Sequence, residues 1–235
     1  MASQKISNHQ ITITDRVYCN AGNLPLLDLL DRGSIRLLDV GCGAGDNALL
    51  VRSRYTSCNV QGVTYSPVEA EIARKRMARC WVFDIEGEFP AELEREVFDC
   101  LIFSHILEHL KDPALVLARF SRLLRSGGQV LIAVPNVLSW RMRLQFLQGD
   151  FEYESAGELD DTHLRFFTYF TADRLLLSKS PDLEVTCKCA SGSAPLWWLR
   201  RHVFPQAWSE YIDQWSCRHW PNLFGAQVLI VAIKR

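Results

Sequence analysis

Asp39 stands two residues before the turn Gly41-Cys42-Gly43-Ala44-Gly45, near the end of the apolar run Ile35–Val40. A helix-forming stretch, Asp46–Arg52, follows. A strand, a glycine turn and a helix start together bring bare backbone close to a ligand. Glycine permits the tight bend, and the helix N-terminus offers free N–H groups. The spacing is G-x-G-x-G, not the G-x-G-x-x-G of a pyrophosphate-binding turn. An acid at Asp39 would repel a pyrophosphate and suits a ligand that carries an ammonium group.

A second constellation is His163, flanked by Asp160, Asp161 and Arg165. Imidazole titrates near neutrality and suits a general base. An aspartate beside it would orient the ring, and Arg165 would hold an anionic group of a substrate. The same residues also read as a polar cluster pinning an insertion to the body of the fold. Both readings stay open on sequence alone.

These residues need a frame. Cys58–Val63 reads as a second strand, Cys80–Phe83 as a third, Phe98–Ser104 as a fourth and Gln129–Val134 as a fifth. Ser66-Pro67-Val68-Glu69 opens a helix with an N-cap, a first-position proline and a capping-box acid. Arg74, Lys75, Arg76 and Arg79 after it read as a solvated, basic helix end. Asp112-Pro113 caps another helix, expected to stop at Gly127-Gly128. A short helix is expected over Asn23–Leu30, and another from Thr171 to Leu177. Leu183–Cys189 and Ala226–Ile233 supply two more strands. Strands alternating with helices predict an α/β, doubly wound, mostly parallel seven-stranded sheet with helices on both faces. The rhythm breaks at 136–170 and 190–224. The first break holds an expected amphipathic helix with Trp140, Leu144 and Leu147 on its apolar side. The second holds five of the seven tryptophans.

The chain has 235 residues, which suits one domain over 1–235 with two insertions forming a cap. A net charge of −1 leaves no basic stripe for nucleic acid. The first residues lack the apolar core of a secretory leader, and no apolar run approaches a membrane span. The eight cysteines form no CxxC pair, and read as reduced thiols of a cytoplasmic protein.

Leu37-Leu38-Asp39-Val40-Gly41-Cys42-Gly43-Ala44-Gly45 resembles the first motif of the class I S-adenosylmethionine-dependent methyltransferases. Phe98–Leu110 resembles their motif after strand four, and Gly127–Asn136 the motif at strand five. Asp161-Thr162-His163-Leu164-Arg165-Phe166-Phe167-Thr168 is similar to a segment of the type 11, 12 and 23 small-molecule branch. S-adenosylmethionine carries an ammonium, a carboxylate and a sulfonium and no phosphate, as the chemistry of Asp39 prefers. The resemblance implies a Rossmann-like methyltransferase fold that binds this cofactor and releases S-adenosylhomocysteine. It places Asp39 at the ammonium and Gly41, Cys42, Gly43 and Gly45 beneath the methionine part. Tyr18, just before the first helix, reads either as a border of the pocket or as an ordinary packing tyrosine. Thr64, Tyr65 and Ser66 stand where an acid normally meets the ribose, and no acid is present there. Asp84 and Ile85 meet the adenine. Ser104 and His105 line the cofactor near the methyl group, with His105 and His163 as catalytic candidates. The acceptor that the resemblance implies is a small molecule methylated at oxygen, with Arg165, Trp140 and Trp197 as its candidate contacts. No metal is called for, and the protein is expected to be a monomer or homodimer.

Two rival readings keep their places. A dinucleotide-dependent oxidoreductase is disfavoured by the glycine spacing and the missing ribose acid. A non-catalytic protein retaining the cofactor fold is favoured by Thr64 and by the aromatic segment 195–224. That segment reads either as a lid over the acceptor pocket or as a surface for a second copy or a lipid-linked acceptor.

Overall fold

The computed structural model describes residues 21–31, 33, 35–55, 57–154 and 157–235. Tyr18 lies outside them. Seven strands build one sheet: β1 (Arg36–Val40), β2 (Asn59–Thr64), β3 (Arg79–Val82), β4 (Phe98–Ser104), β5 (Leu124–Pro135), β6 (Leu183–Gly192) and β7 (Gly225–Lys234). Their order is β3-β2-β1-β4-β5-β7-β6. The first five pair in parallel, and β7 runs antiparallel to both β5 and β6. This is the expected doubly wound, mostly parallel sheet.

Burial follows from the strand sequences. Cys100, Leu101, Ile102 and Phe103 of β4 are all fully buried. A central parallel strand is covered on both faces, so its sequence is a continuous apolar run. Alternation still sorts the side chains. Leu101 and Phe103 join Leu38 and Val40 on one face, while Cys100 and Ile102 join Leu37 on the other.

The helices cover those faces: α1 (Leu24–Leu27), α2 (Asp46–Arg54), α3 (Pro67–Ala73), α4 (Pro113–Phe120), α5 (Trp140–Leu147), α6 (Ala172–Leu176), α7 (Trp197–Val203), α8 (Gln206–His219) and α9 (Pro221–Phe224). The predicted caps form. Ser66 Oγ accepts from the Glu69 N–H at 3.3 Å, and Asp112 Oδ1 from the Leu115 N–H at 3.0 Å. Each satisfies an orphan donor of the first turn.

Three local expectations are corrected. Helix α4 ends at Phe120, not at the glycine pair, and a 3₁₀ turn over Ser121–Leu123 leads straight into β5. Gly127 and Gly128 instead lie in an irregular stretch of β5, where Phe98 pairs with Leu124 but Cys100 pairs with Gln129. Gly127 adopts φ +72° there, which glycine tolerates without strain. In α5 the buried side is Met142, while Leu144 and Leu147 face outward. The basic run after α3 is not only a solvated face. The Arg76 guanidinium pairs with Asp46 and donates to the Ala44 carbonyl within the glycine turn.

Helices α8 and α9 pack on β6 and bury Ser216, Cys217 and Asn222, whereas Trp198, Trp208 and Tyr211 point outward, each more than half exposed. A lid closed over the sheet would bury those rings. Arg200 is buried. It donates to the carbonyls of Ala194, Pro195 and Ser209 and pairs with Asp213. It ties α7 to α8. No described helix is long and apolar enough to cross a membrane.

Candidate functional site

The parallel strands deliver their C-terminal ends to one edge of the sheet, and antiparallel β7 brings its first residues to the same edge. Such edges are where open α/β sheets bind ligands. Gly41, Gly43 and Gly45 there adopt φ values of +77°, +51° and +84°. The N–H groups of Gly41 and Cys42 both donate to the Val63 carbonyl, at 2.9 and 2.8 Å, which fastens the turn to β2. A Cβ on Gly41 would lie 2.5 Å from the Ile106 side chain, so the turn and the loop after β4 touch only because that residue is glycine.

Asp39 sits under this turn, 1% exposed. Its hydrogen bonds among the described residues come from the Asn47 amide, at 3.3 and 3.5 Å. Burial pushes its pKa up to about 7, against the Asn47 hydrogen bond and with a smaller push from Asp46. A buried carboxylate with such thin compensation is incomplete without a cation. The ammonium of an amino-acid ligand supplies one. The residues present therefore fit the predicted cofactor at this end.

The ribose end differs from expectation. Thr64 is buried, and its hydroxyl donates to Glu69 Oε2 at 2.7 Å while accepting from the Ser66 N–H at 3.2 Å. A buried acid, Glu69 of α3, thus stands directly behind Thr64 although the strand end itself has none. Tyr65 is exposed and Ser66 is spent on its cap. Asp84 accepts from the Glu86 N–H at 2.9 Å in a turn closed by Gly87, and stays exposed beside buried Ile85. Ser104 accepts from Asn23 Nδ2 at 3.3 Å.

His105 has φ +53°, a left-handed conformation that strains a residue with a side chain. Its Nδ1 lies 3.2 Å from Glu108 Oε1 and its Nε2 2.9 Å from Gln227 Oε1. Burial pulls its pKa down, but the Glu108 carboxylate and Gln227 outweigh that and leave it raised. Both partners are acceptors in this arrangement, so the ring donates at both nitrogens.

His163 lies beside this group. Its ring meets His109 edge to face at 4.7 Å between centroids. Its Nδ1 is 3.1 Å from the Glu158 carbonyl, so a backbone oxygen orients it rather than an aspartate. Asp160 instead accepts from Thr162 Oγ1 at 2.5 Å. The Thr162 hydrogen bonds outweigh burial and hold the Asp160 pKa down. Arg165 is turned away from His163, its guanidinium donating to the Lys111 carbonyl. Trp140 Nε1 donates to the Ser193 carbonyl at 2.8 Å, linking the two insertions, and Trp197 is exposed.

Sequence reasoning missed Asn23, Asn47, Glu69, Glu108 and Gln227. The Asn23 N–H donates to Asn47 Oδ1 at 2.9 Å, and Asn23 Nδ2 to Gln227 Oε1 at 2.8 Å. A continuous hydrogen-bonded path therefore runs from Asp39 through Asn47, Asn23, Gln227 and His105 to Glu108. Glu69 alone had a local signal, the capping box. Asn23 and Gln227 are joined by topology across 204 residues, whereas Glu108 meets His105 three positions away and Asn47 meets Asp39 eight positions away.

The sheet order and the left-handed glycine turn are those of the class I methyltransferase fold. The chain belongs to the family described as Methyltransferase domain, whose model matches residues 15–179. It is 33% identical over 108 residues to a ubiquinone biosynthesis O-methyltransferase of Neisseria meningitidis, a match covering 43% of this chain and 44% of that protein. The chain spans only 33–44% of the length of the first curated relatives it matches. Among solved structures, a SAM-dependent methyltransferase from Archaeoglobus fulgidus aligns with a TM-score of 0.56 at 20% identity, covering 86% of this chain and 87% of that one. The [4+2]-cyclase SpnF aligns at 0.55 and 20% identity, covering 89% and 78%. These structural likenesses speak for the fold.

Proposed function

We propose that this chain transfers a methyl group from S-adenosylmethionine to an oxygen of a small molecule and releases S-adenosylhomocysteine. The observation that carries the reading is Asp39, buried and thinly compensated beneath three left-handed glycines. Asp39 and the glycine turn hold the amino-acid part, Thr64 and Glu69 the ribose, and Asp84 and Ile85 the adenine. The sulfonium supplies an activated methyl carbon. The protein's own task is to align acceptor, carbon and sulfur and to exclude water.

Oxygen as the acceptor atom is supported by the activity in the name of the Neisseria relative. A hydroxyl must lose its proton as the new bond forms. Uncommitted lone pairs gather at Glu108, His109 and His163, next to His105, and we assign the handling of that proton to this cluster. His105 then positions the cluster and the cofactor pocket relative to each other, since it donates to Glu108 on one side and Gln227 on the other. We read 136–170 and 190–224 as the acceptor side of one domain.

The test is turnover. Purified protein, S-adenosylmethionine and a panel of phenolic, enolic and carboxylic acceptors should yield S-adenosylhomocysteine. Cofactor binding with no turnover on any acceptor would favour a non-catalytic role or the non-transfer chemistry that this fold also hosts.

A further inference from the structure

Glu108 is 1% exposed, and its Oε2 has no hydrogen-bond partner among the described residues. An unsatisfied buried carboxylate oxygen is costly and calls for a partner. One carboxylate oxygen of Glu108 and one ring nitrogen each from His109 and His163 lie within 4.8 Å of one another.

The surrounding bonds fix what these atoms can offer. Glu108 Oε1 is taken by His105 Nδ1. Thr162 Oγ1 spends its single hydrogen on Asp160, so at 2.9 Å it can only accept from His109 Nδ1. The Glu158 carbonyl can likewise only accept from His163 Nδ1. Both rings are therefore held as Nδ1–H tautomers, and each keeps a lone pair on Nε2. With each Nδ1 spent as a donor, the atoms left to meet a cation are the two Nε2 lone pairs and Glu108 Oε2, on residues whose ligand atoms lie within 4.8 Å of one another. Lone pairs repel one another, and a cation resolves the conflict.

The outer contacts suit that role. Metal-binding histidines commonly give their other N–H to a carbonyl or to a carboxylate-linked group, which sets ring and tautomer. Here His163 gives it to the Glu158 carbonyl, and His109 to Thr162, itself anchored on buried Asp160. The scaffold is braced as well. The Glu108 carbonyl accepts from the N–H groups of both Leu164 and Arg165, at 2.9 and 3.0 Å, which locks the insertion onto the turn after β4.

We propose that Glu108, His109 and His163 bind a divalent transition-metal ion. Two imidazoles and one carboxylate suit Zn²⁺, Fe²⁺, Co²⁺ or Mn²⁺, and three protein ligands leave coordination positions open. The open positions fit an acceptor that presents two neighbouring oxygens, a hydroxyl beside a second hydroxyl, carbonyl or carboxylate. This deepens the methyltransferase reading and rests on it for the acceptor. His163 then serves as a ligand rather than as the base expected from sequence, and the expectation of no metal is revised.

The test is titration of the metal-stripped full chain with Co²⁺, read by its visible absorption, with S-adenosylhomocysteine binding measured in parallel. One Co²⁺ per chain is expected, weakened at least about 100-fold in Glu108→Gln and His163→Ala and about 10-fold in Thr162→Val. Bound S-adenosylhomocysteine should be retained in all three variants. Absence of stoichiometric Co²⁺ binding, or Co²⁺ binding undisturbed in His163→Ala, would overturn the metal site. If S-adenosylhomocysteine still binds in that case, the methyltransferase reading survives, with His163 as a base. Loss of S-adenosylhomocysteine binding by the unaltered chain would count against the reading itself, whatever Co²⁺ does.

Discussion

The side-chain oxygen of Gln227 lies 2.9 Å from Nε2 of His105, across 122 residues of sequence. The same oxygen accepts from Asn23 Nδ2 at 2.8 Å. One carboxamide on the antiparallel strand thus joins the helix before the sheet to the loop after β4. This is the bridge between the buried acid of the cofactor end and the Glu108 cluster.

Gln227→Leu removes an acceptor from two donors at once. His105 can turn to water, so the loss in stability should be modest, about 1 kcal/mol by urea denaturation. Turnover should fall more than that figure suggests, because His105 and Glu108 lose their fixed orientation. A variant with unchanged kcat would remove the bridge from the mechanism.

Glu69→Gln tests how the ribose is held. In the proposed site the carboxylate meets the ribose through the Thr64 hydroxyl, which donates to it at 2.7 Å. Replacing a charged acceptor by a neutral one halves such a hydrogen bond, and S-adenosylhomocysteine affinity should drop by about tenfold. Calorimetric titration that finds equal affinity would place the ribose elsewhere.

The cofactor-free protein should lose stability as pH rises from about 4 to about 7. The Asp39 carboxyl has a raised folded pKa, about 7, so the folded state holds a proton that the unfolded state releases near pH 4. Stability from this group is complete below the unfolded pKa and is lost as pH climbs through the folded value. The change is on the order of 4 kcal/mol. Asp39→Asn should flatten that part of the profile, as read by chemical denaturation at a series of pH values.

Much of this frame was legible in the sequence because its signals are local. Apolar runs such as Cys100–Phe103 mark buried parallel strands, and Ser66-Pro67 and Asp112-Pro113 mark helix starts. Asp39 and its glycines could be placed for the same reason: a turn is written in neighbouring residues. Two expectations failed where a local signal was overridden. Gly127-Gly128 resembles a helix stop, but pairing of β5 with β4 claims it. Leu144 and Leu147 look like a buried stripe, but the packing of α5 chooses Met142. Asn23 and Gln227 were out of reach because each owes its role to a partner brought by topology, and Glu108 because His163 reaches it from a distant insertion. The Thr64–Glu69 contact was hidden because Glu69, five positions on, carries the local signature of a helix cap.

The central claim is that Asp39 meets the ammonium of the cofactor. Calorimetric titration of S-adenosylhomocysteine into the purified chain, in buffers of different ionisation enthalpy, tests it most directly. The account predicts one site per chain and release of about half a proton at pH 7, because the carboxyl must ionise to pair with the ammonium. Affinity should improve by about tenfold from pH 6 to pH 8. Binding should vanish in a folded Asp39→Ala variant. Binding of undiminished strength in that variant, or no binding by the unaltered chain, would contradict the account.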